Sequence, residues 1–338
     1  MKLSPQLRHA AIVTLLGLSL VALIAGIARL AVPLPRLVEL RARVAESGGW
    51  TPANVTVRSG QPVRFRLTAD DVEHGFAIGW AGQPAVSLAP GRIVEVDMTV
   101  DPPGKYVFYC TKWCGAGHWR MRGAIEVTGR QTDVSTPPAP PYVQLGLDID
   151  APHPSRARPE MRPSAARGAR LGVSLPPEFL ARDYYRIHRP DEAWQSLRAT
   201  PALKRFTDQQ VWDLLASAWR SATTSVALNM GKRLYDENCA ACHGVSGAGD
   251  GAKAGLLGAQ PQSTFGSGTM TPTNFTFTNI GTDTGAMLGA SPALLHGKII
   301  RGGMGTGMPY WGPIFTDEQT WAVVDYLWSF QFEYQEMP

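Results

Sequence analysis

Charged side chains are scarce in this sequence of 338 residues. Aspartate, glutamate, lysine and arginine together make up 18% of the chain, and the formal net charge is only +4. The basic residues are not gathered into blocks, which argues against a nucleic-acid-binding protein. Cysteine is scarce as well. The four cysteines form two closely spaced pairs, and this spacing favours a metal or a cofactor over disulfides.

Long apolar runs are also few. Hydrophobic residues make up 44% of the chain and the mean hydropathy is −0.11. These values exclude both a wholly disordered chain and a polytopic membrane protein. A mass of 36.6 kDa accommodates two domains and the material that connects them.

One uncharged run is the exception. Residues Ala10–Ala28 are 19 consecutive residues without a charge, and as a helix they would span roughly 28 Å, about the thickness of a bilayer core. We predict a transmembrane anchor over residues 10–31, preceded by a cytoplasmic N-terminus of residues 1–9. A cleaved signal peptide is the alternative, with the nearest small-x-small site at Gly26-Ile27-Ala28.

Residues 50–127 have the alternating pattern of β-strands. Apolar side chains alternate with arginines over residues 63–67 and with acidic side chains over residues 94–98. Turn signals such as Ser59-Gly60 and Pro102-Pro103-Gly104 separate the runs. Short strands with regular turns predict a small all-β sandwich.

The composition changes after this region. Residues 137–177 contain ten prolines and little periodic apolar pattern. We therefore predict a Pro/Arg-rich linker over residues 130–190, lying on the surface or disordered. Helical signals return in residues 191–224, where Asp191 and Thr207 are candidate N-caps.

The second of these helices has a counterpart near the end of the chain. Residues 206–219 align without a gap with residues 315–328, at an offset of 109. Both copies carry an N-cap threonine and two tryptophans seven residues apart, which lie on one helix face. This pattern indicates either an internal duplication whose first copy, residues 191–224, has lost its haem, or a coincidence between two capped amphipathic helices.

A first metal constellation lies within twelve residues. Cys110, Cys114, His118 and Met121 supply two thiolates, an imidazole and a thioether, and His74 lies on an earlier predicted strand. Soft sulfur and imidazole ligands favour copper or zinc, and methionine is a poor zinc ligand. A blue single-copper site needs only one cysteine, whereas two bridging thiolates suit a two-copper cluster. A disulfide between the two cysteines would leave the histidine and the methionine unexplained.

This segment resembles the CuA loop of cytochrome c oxidase subunit II. The resemblance covers residues 44–129 and implies a cupredoxin sandwich in which Cys110 and Cys114 bridge two coppers. His74, with Met121 or His118, would complete each end of the cluster. The backbone carbonyl of Lys112 would be the last ligand, although subunit II proteins usually have an acidic residue at this position.

A second signature is that of covalent haem. Cys239-Ala-Ala-Cys242-His243 offers two thioether positions and a proximal histidine within one turn. Together with the helices that flank it, the segment 225–338 resembles a class I cytochrome c, an all-α fold with one haem c. The carbonyl that orients the proximal histidine has two candidates, those of Pro261 and Pro272.

The distal haem ligand is assigned by the same resemblance. Met308 precedes a proline, as the ligand methionine does in that family, and Met304 is the nearest alternative; Met270 and Met287 fit less well. A His/Met pair leaves no open position on the iron, which favours electron transfer over oxygen binding.

The remaining histidines have no partner at ligand spacing, and we expect them at the surface or in linkers: His9, His153, His188 and His296. Residues 225–338 carry five basic and nine acidic side chains, so they are acidic whereas the rest of the chain is basic. This difference raises the hypothesis that the cytochrome segment docks on the remainder through salt-dependent attraction.

The function that these features imply is electron transfer. No catalytic nucleophile or acid–base pair stands out in the sequence, so no catalytic residue is assigned. The resemblance implies a non-catalytic electron-entry subunit of a haem–copper terminal oxidase. Electrons would pass from an external donor, such as a soluble cytochrome c, through haem c and CuA to a polytopic catalytic subunit.

Two alternatives remain: the CuA-containing subunit of a nitric oxide reductase, and a stand-alone membrane-tethered electron carrier. Haem c is attached outside the cytoplasm. We therefore expect a single-pass protein of the inner or plasma membrane, with its large C-terminal part on the periplasmic or extracellular side.

Overall fold

The computed structural model describes most of the chain. The residues it describes are 14–21, 35–80, 85–112, 114–115, 117–130, 138–257, 271–277, 287–303 and 308–334. Residues 14–21 are helical and are named α1. The rest of the predicted anchor lies outside the described residues, and within them no helix combines the length and the apolar character needed to cross a membrane.

The first domain is a sandwich of two β-sheets. Its strands are β1 (Arg36–Ala42), β2 (Trp50–Thr51), β3 (Asn54–Arg58), β4 (Pro62–Ala69), β5 (His74–Ile78), β6 (Val86–Leu88), β7 (Ile93–Thr99), β8 (Gly104–Tyr109) and β9 (Arg122–Thr128). One sheet has the order β2-β1-β4-β7 and the other has the order β3-β9-β8-β5-β6. The prediction of a β-sandwich is confirmed, but the sandwich begins at Arg36, eight residues before the predicted boundary.

The alternation in the sequence explains the sandwich. In β4 the side chains of Val63, Phe65 and Leu67 are fully buried, while the arginines between them face outward. β4 pairs in parallel with β1 and antiparallel with β7. Phe76 and Phe108 meet Trp50 edge to face inside the core, with ring centroids 5.7 and 5.5 Å away.

The second part of the chain is helical. Its helices are α2 (Pro141–Gln144), α3 (Ala165–Arg170), α4 (Arg182–Ile187), α5 (Pro190–Ala199), α6 (Asp208–Ser221), α7 (Ser225–Asn238), α8 (Ala240–His243), α9 (Ala254–Leu257), α10 (Pro292–Arg301) and α11 (Asp317–Leu327). These helices surround one apolar core that is separate from the core of the sandwich.

The expected linker is not a bare linker. Within its described residues, 138–190, the chain forms α2, α3 and α4, and Ile149, Phe179 and Tyr185 are buried in the helical core. The backbone N–H of Ser164 donates to Asp213 of α6 at 2.8 Å. The prediction of a surface or disordered segment is therefore wrong for these residues. The prolines restrict the backbone conformation of this segment, but its few apolar side chains still pack into the helical core.

The repeated helices share more than their sequence. α6 and α11 both begin with a capping box, Thr207 with Gln210 and Thr316 with Gln319. Each also packs against an earlier helix through a glycine. A Cβ on Gly168 of α3 would overlap a backbone carbonyl oxygen of α6, and a Cβ on Gly231 of α7 would overlap one of α11.

The residues that those glycines touch are equivalent in the repeat. Gly168 lies against Asp213 and Gly231 lies against Ala322, and these two positions differ by the offset of 109. Both glycines stand two residues before an arginine-leucine pair. The α3–α6 pair thus has the packing of the α7–α11 pair, which supports the duplication.

Candidate metal centres

The first candidate site is built on the loop between β8 and β9. Cys110 follows β8 directly and Met121 precedes β9 directly. The strands close the base of the loop, because Tyr109 and Arg122 are register partners and the N–H of Cys110 donates to the carbonyl of Met121 at 2.9 Å. The loop therefore starts and ends at a rigid sheet.

Three ligand-type side chains meet inside this loop. One ligand atom each from His74, Cys110 and Cys114 lies within 4.8 Å of the others, and all three residues are buried. His74 Nδ1 lies 3.7 Å from Cys110 Sγ. His118 Nδ1 lies 3.5 Å from Cys114 Sγ on the other side of the cluster. The structure thus brings together four of the side chains that the sequence singled out.

The ring of His74 is oriented by Asp71. His74 Nε2 lies 2.8 Å from Asp71 Oδ1, which leaves Nδ1 to face the cysteine sulfur. The carboxylate also accepts the backbone N–H groups of Val44 and Val72, both at 2.7 Å. Burial alone would raise the pKa of Asp71, but these hydrogen bonds outweigh it and the pKa is lowered.

The two cysteines are electrostatically unequal. The hydrogen bond from Cys114 is the largest influence on Cys110 and, with those of the two histidines, lowers its pKa to about 2 against the effect of burial. The same interaction and burial raise the pKa of Cys114 well above the ordinary value. These interactions favour the thiolate form of Cys110, which is the form that binds soft metal ions.

The two remaining predicted ligands are the carbonyl of Lys112 and the thioether of Met121. The carbonyl oxygen of Lys112 is 3.0 Å from Cys110 Sγ, and its side chain turns away to pair with Glu73 at 2.7 Å. Met121 is 1% exposed and lies against Gly49, where a Cβ would be 3.6 Å from its sulfur. Two thiols, two imidazoles, a carbonyl and a thioether fit a soft, dinuclear copper site.

The haem motif lies at the junction of α7 and α8. Cys239 caps the end of α7, and Cys242 and His243 are in α8. His243 Nδ1 donates to the carbonyl of Thr273 at 3.0 Å, so Nε2 is the nitrogen left for a metal. The orienting carbonyl is therefore that of Thr273 and not that of its neighbour Pro272, while Pro261 lies outside the described residues. The ring also stacks on Phe275, with centroids 4.7 Å apart.

The segment with the predicted distal methionine packs on the helical core. Met308 contacts that core, and its carbonyl accepts the N–H of Gly303 at 3.2 Å. Met287 is buried in the core at 4% exposure, whereas Met304 and Met270 lie outside the described residues. Two thiols and an imidazole with one nitrogen fixed are groups that a covalent haem requires, and Met308 on the same helical core offers a thioether.

His296 does not lie at the surface. It is 2% exposed, stacks on Trp321 with centroids 4.5 Å apart and pairs with Asp317 at 3.0 Å. The expectation of a surface histidine is wrong here, because the spacing of residues in the sequence did not reveal its contact with α11. The ring–ring and carboxylate contacts give it a structural role in the helical core.

The sequence analysis also missed two residues that join the domains. Arg122, next to Met121, donates from Nη1 to the carbonyl of Tyr310 at 2.9 Å. Trp80 donates from its backbone N–H to Ile314 at 3.2 Å and from Nε1 to Phe315 at 2.9 Å. The sequence around Arg122 and around Trp80 does not predict these contacts, because their partners in residues 310–315 lie about 200 residues further along the chain.

Fold and site together define a protein with two metal-binding modules, a cupredoxin-type domain and a cytochrome c-type domain. Comparison with protein families agrees. Residues 49–128 match the family described as cytochrome c oxidase subunit II, periplasmic domain, and residues 228–331 match the family cytochrome c. The resemblance found in the sequence is confirmed for both modules, which imply a CuA centre and one haem c.

Individual relatives are similar to this chain over about 80 residues. The chain is 35% identical over 79 residues to cytochrome c oxidase subunit 2 of Thermus thermophilus, which is 23% of this chain and 58% of that protein. A second Thermus thermophilus subunit 2 is matched over 46% of its length, also at 35% identity. The chain thus spans about half the length of these relatives.

Among solved structures, the periplasmic domain of subunit II of cytochrome oxidase (CoxB) of Bradyrhizobium japonicum is similar. It has a TM-score of 0.25 and 21% identity, covering 29% of this chain and 87% of that one.

Proposed function

We propose that this protein is the electron-entry subunit of a membrane haem–copper terminal oxidase. One electron at a time would pass from an external donor to haem c, then to CuA, then to a catalytic subunit. The observation that carries the proposal is the direct packing of the two modules within one chain. The strands that bear the copper loop touch the segment that follows Met308.

The proposed ligands follow from the donor atoms described above. When bound, the copper pair and the haem each take up and release one electron at a time without a change of ligands. The copper pair would be held by His74, Cys110, the carbonyl of Lys112, Cys114, His118 and Met121. The haem would be held by Cys239, Cys242, His243 and Met308.

The protein's own residues keep both sites ready for this task. Asp71 and Thr273 each fix one nitrogen of a ligand histidine, so the rings do not have to reorient when the charge of a centre changes. The sulfur-bearing side chains of Cys110 and Met121 are buried, which limits the access of water to the copper side. Little reorganisation on a change of charge is what fast electron exchange requires.

The remaining parts of the proposal concern partners and location. We propose that a polytopic catalytic subunit receives the electrons and that a soluble cytochrome c supplies them. Attachment of haem c outside the cytoplasm places the large C-terminal part on the periplasmic side of the inner membrane. The uncharged run Ala10–Ala28 would anchor it there as a single span.

The test is purification of the native complex from membranes. It is supplied with a reduced cytochrome c or an artificial donor, and oxygen and nitric oxide consumption are followed side by side. Fast oxygen uptake with a polytopic partner present supports the proposal. Uptake of nitric oxide alone would instead make this the CuA-containing subunit of a nitric oxide reductase. If the protein runs alone and consumes neither gas, it is a tethered electron carrier.

A further inference from the structure

The two modules are joined by specific hydrogen bonds and close packing, and not only by the chain that connects them. Trp80, at the end of β5, adopts a left-handed backbone conformation with φ of 65°, which is unfavourable for a bulky residue. Its two N–H groups donate to the carbonyls of Ile314 and Phe315. Gly79 also lies directly against the backbone of Pro313 and Ile314, where a Cβ would not fit. Backbone strain at Trp80 is thus held in place by the helical domain.

Arg122 makes the second part of the contact. Besides its hydrogen bond to the carbonyl of Tyr310, its guanidinium lies 4.7 Å from the ring centroid of Tyr310 and 5.7 Å from that of Trp311. A cation–π contact contributes most when it is shielded from water. Arg122 is half-buried, and burial is the main cause of the lowered pKa of its guanidinium.

The position of this contact connects the two metal sites. Arg122 and its strand partner Tyr109 stand directly beside Met121 and Cys110, at the base of the copper loop. Tyr109 and Val107 pack against the helical core. On the other side, Tyr310 stands two residues after Met308. The contact is therefore one residue from the proposed copper ligands and two residues from the proposed haem ligand.

We propose that Arg122 is a positioning residue that clamps the Met308 segment onto the base of the copper loop, so that electrons cross between the two centres at this contact and within one chain. The inference rests on the proposed function and names its internal route. In the exchange the haem side is oxidised by one electron and the copper side is reduced by one. No bond breaks and no proton moves.

The chemistry of the clamp also predicts its response to salt. Arg122 meets a carbonyl and two ring faces rather than a carboxylate, and Trp80 meets two carbonyls. Salt screens attraction between exposed charges, and partly buried contacts respond much less. Docking should therefore depend weakly on ionic strength, in contrast to the salt-dependent attraction that the acidic composition of residues 225–338 suggested.

The experiment uses the full chain loaded with copper and haem. The first variant is Arg122→Gln. Because Arg122 adjoins a proposed ligand, the second is Trp80→Ala, at a position that is not next to a proposed ligand in the sequence. Arg58→Gln is the matched control, since it removes the same charge from an exposed position at the end of β3. Two readouts are compared: the haem-to-copper electron-transfer rate after flash reduction, and the distance distribution between the oxidised centres from pulsed electron paramagnetic resonance.

We expect the electron-transfer rate to be about tenfold lower in Arg122→Gln and in Trp80→Ala, and the distance distribution to be broader. Each variant loses one hydrogen bond together with a ring or packing contact, and an effect of about this size follows from that loss. The rate and the distance distribution of Arg58→Gln should match those of the unchanged chain. The spectra of both centres should be the same in all the variants as in the unchanged chain. Unchanged rate and distances in both variants would overturn the clamp and leave the proposed function standing. Absence of haem-to-copper transfer in the unchanged chain would instead overturn the proposed function.

Discussion

At the scale of single residues, both candidate centres depend on groups that do not bind metal. Asp71 holds His74 and Thr273 holds His243, each through the ring nitrogen that faces away from the site. Such partners fix the tautomer and the ring plane of a ligand histidine, and losing one commonly weakens metal binding by about 10- to 100-fold. Each centre is therefore larger than its ligand set.

The first prediction concerns Asp71. In Asp71→Asn the side chain keeps its size but loses the charge that favours a correctly oriented His74. We expect copper affinity to fall by about tenfold or more, measured by competition with a chelator of known affinity. Asp97→Asn is the control, because Asp97 is exposed on β7 and pairs with the surface arginine Arg64. Equal affinity in both variants would contradict a role for Asp71 in the copper site.

The second prediction separates the two proposed thioether ligands. Met121→Leu conserves volume in a buried position, so it should cost less than about 1.5 kcal/mol of stability. It should change the copper absorption and magnetic resonance spectra and leave the haem band unchanged. Met308→Leu should do the reverse. A variant that alters both spectra together would show that the ligands are wrongly divided between the two domains.

At the scale of elements, helix pairs in close contact hold the helical domain together. α7 crosses α11 at Gly231 and α3 crosses α6 at Gly168, in both cases with a backbone carbonyl where a side chain would be. Glycine weakens a helix by roughly 1 kcal/mol relative to alanine. The close approach that it permits offsets this cost, because the two helices then bury their facing sides against each other.

The third prediction follows from this packing. Gly231→Ala and Gly168→Ala should each destabilise the helical domain by about 1–3 kcal/mol, because the added methyl group forces the helices apart. Gly255→Ala in α9 is the matched control, since among the described residues no atom from outside its own turn of helix lies within 4 Å of its Cβ position; it should be neutral or slightly stabilising. Thermal unfolding followed at the haem band measures all three. A neutral Gly231→Ala would mean that α7 and α11 do not pack this closely.

At the scale of the whole molecule, two separate cores meet at a contact that combines polar and apolar groups. The sandwich core and the helical core share no buried residue, and Val107 and Tyr109 of β8 link them. Burial, with a smaller contribution from nearby Glu237 of α7, raises the pKa of Tyr109 to about 12, so its hydroxyl stays neutral at the contact. The molecule thus has two cores that this contact joins.

The fourth prediction follows from the separate cores. Removing copper with a chelator should lower the unfolding temperature of the sandwich and leave the transition of the helical domain nearly unchanged. Copper present at 1,000 times its dissociation constant would stabilise the sandwich by about 4 kcal/mol. Differential scanning calorimetry, with absorption at the haem band to assign the transitions, measures both. A joint downward shift of the two transitions would show that the cores unfold as one unit.

The sequence by itself determined the features that are local along the chain. Four of the five predicted copper side-chain ligands fall within residues 110–121, and the haem motif occupies one helical turn, so spacing alone identifies them. Alternation of apolar and charged residues predicted the sandwich for the same reason, because a strand repeats every two residues. The capped helices α6 and α11 were likewise visible from their threonine and tryptophan spacing.

Only the tertiary structure decided the features that depend on distant pairs. Thr273 was not distinguishable from its proline neighbours until the chain brought it 3.0 Å from His243. The partners of Arg122 and Trp80 lie 188 and 235 residues away. The proline-rich segment is ordered because a few of its apolar side chains pack into the helical core. The periodicity of residue types along the chain predicts local geometry. The contacts between distant surfaces depend on how the whole chain packs, and local periodicity does not contain that information.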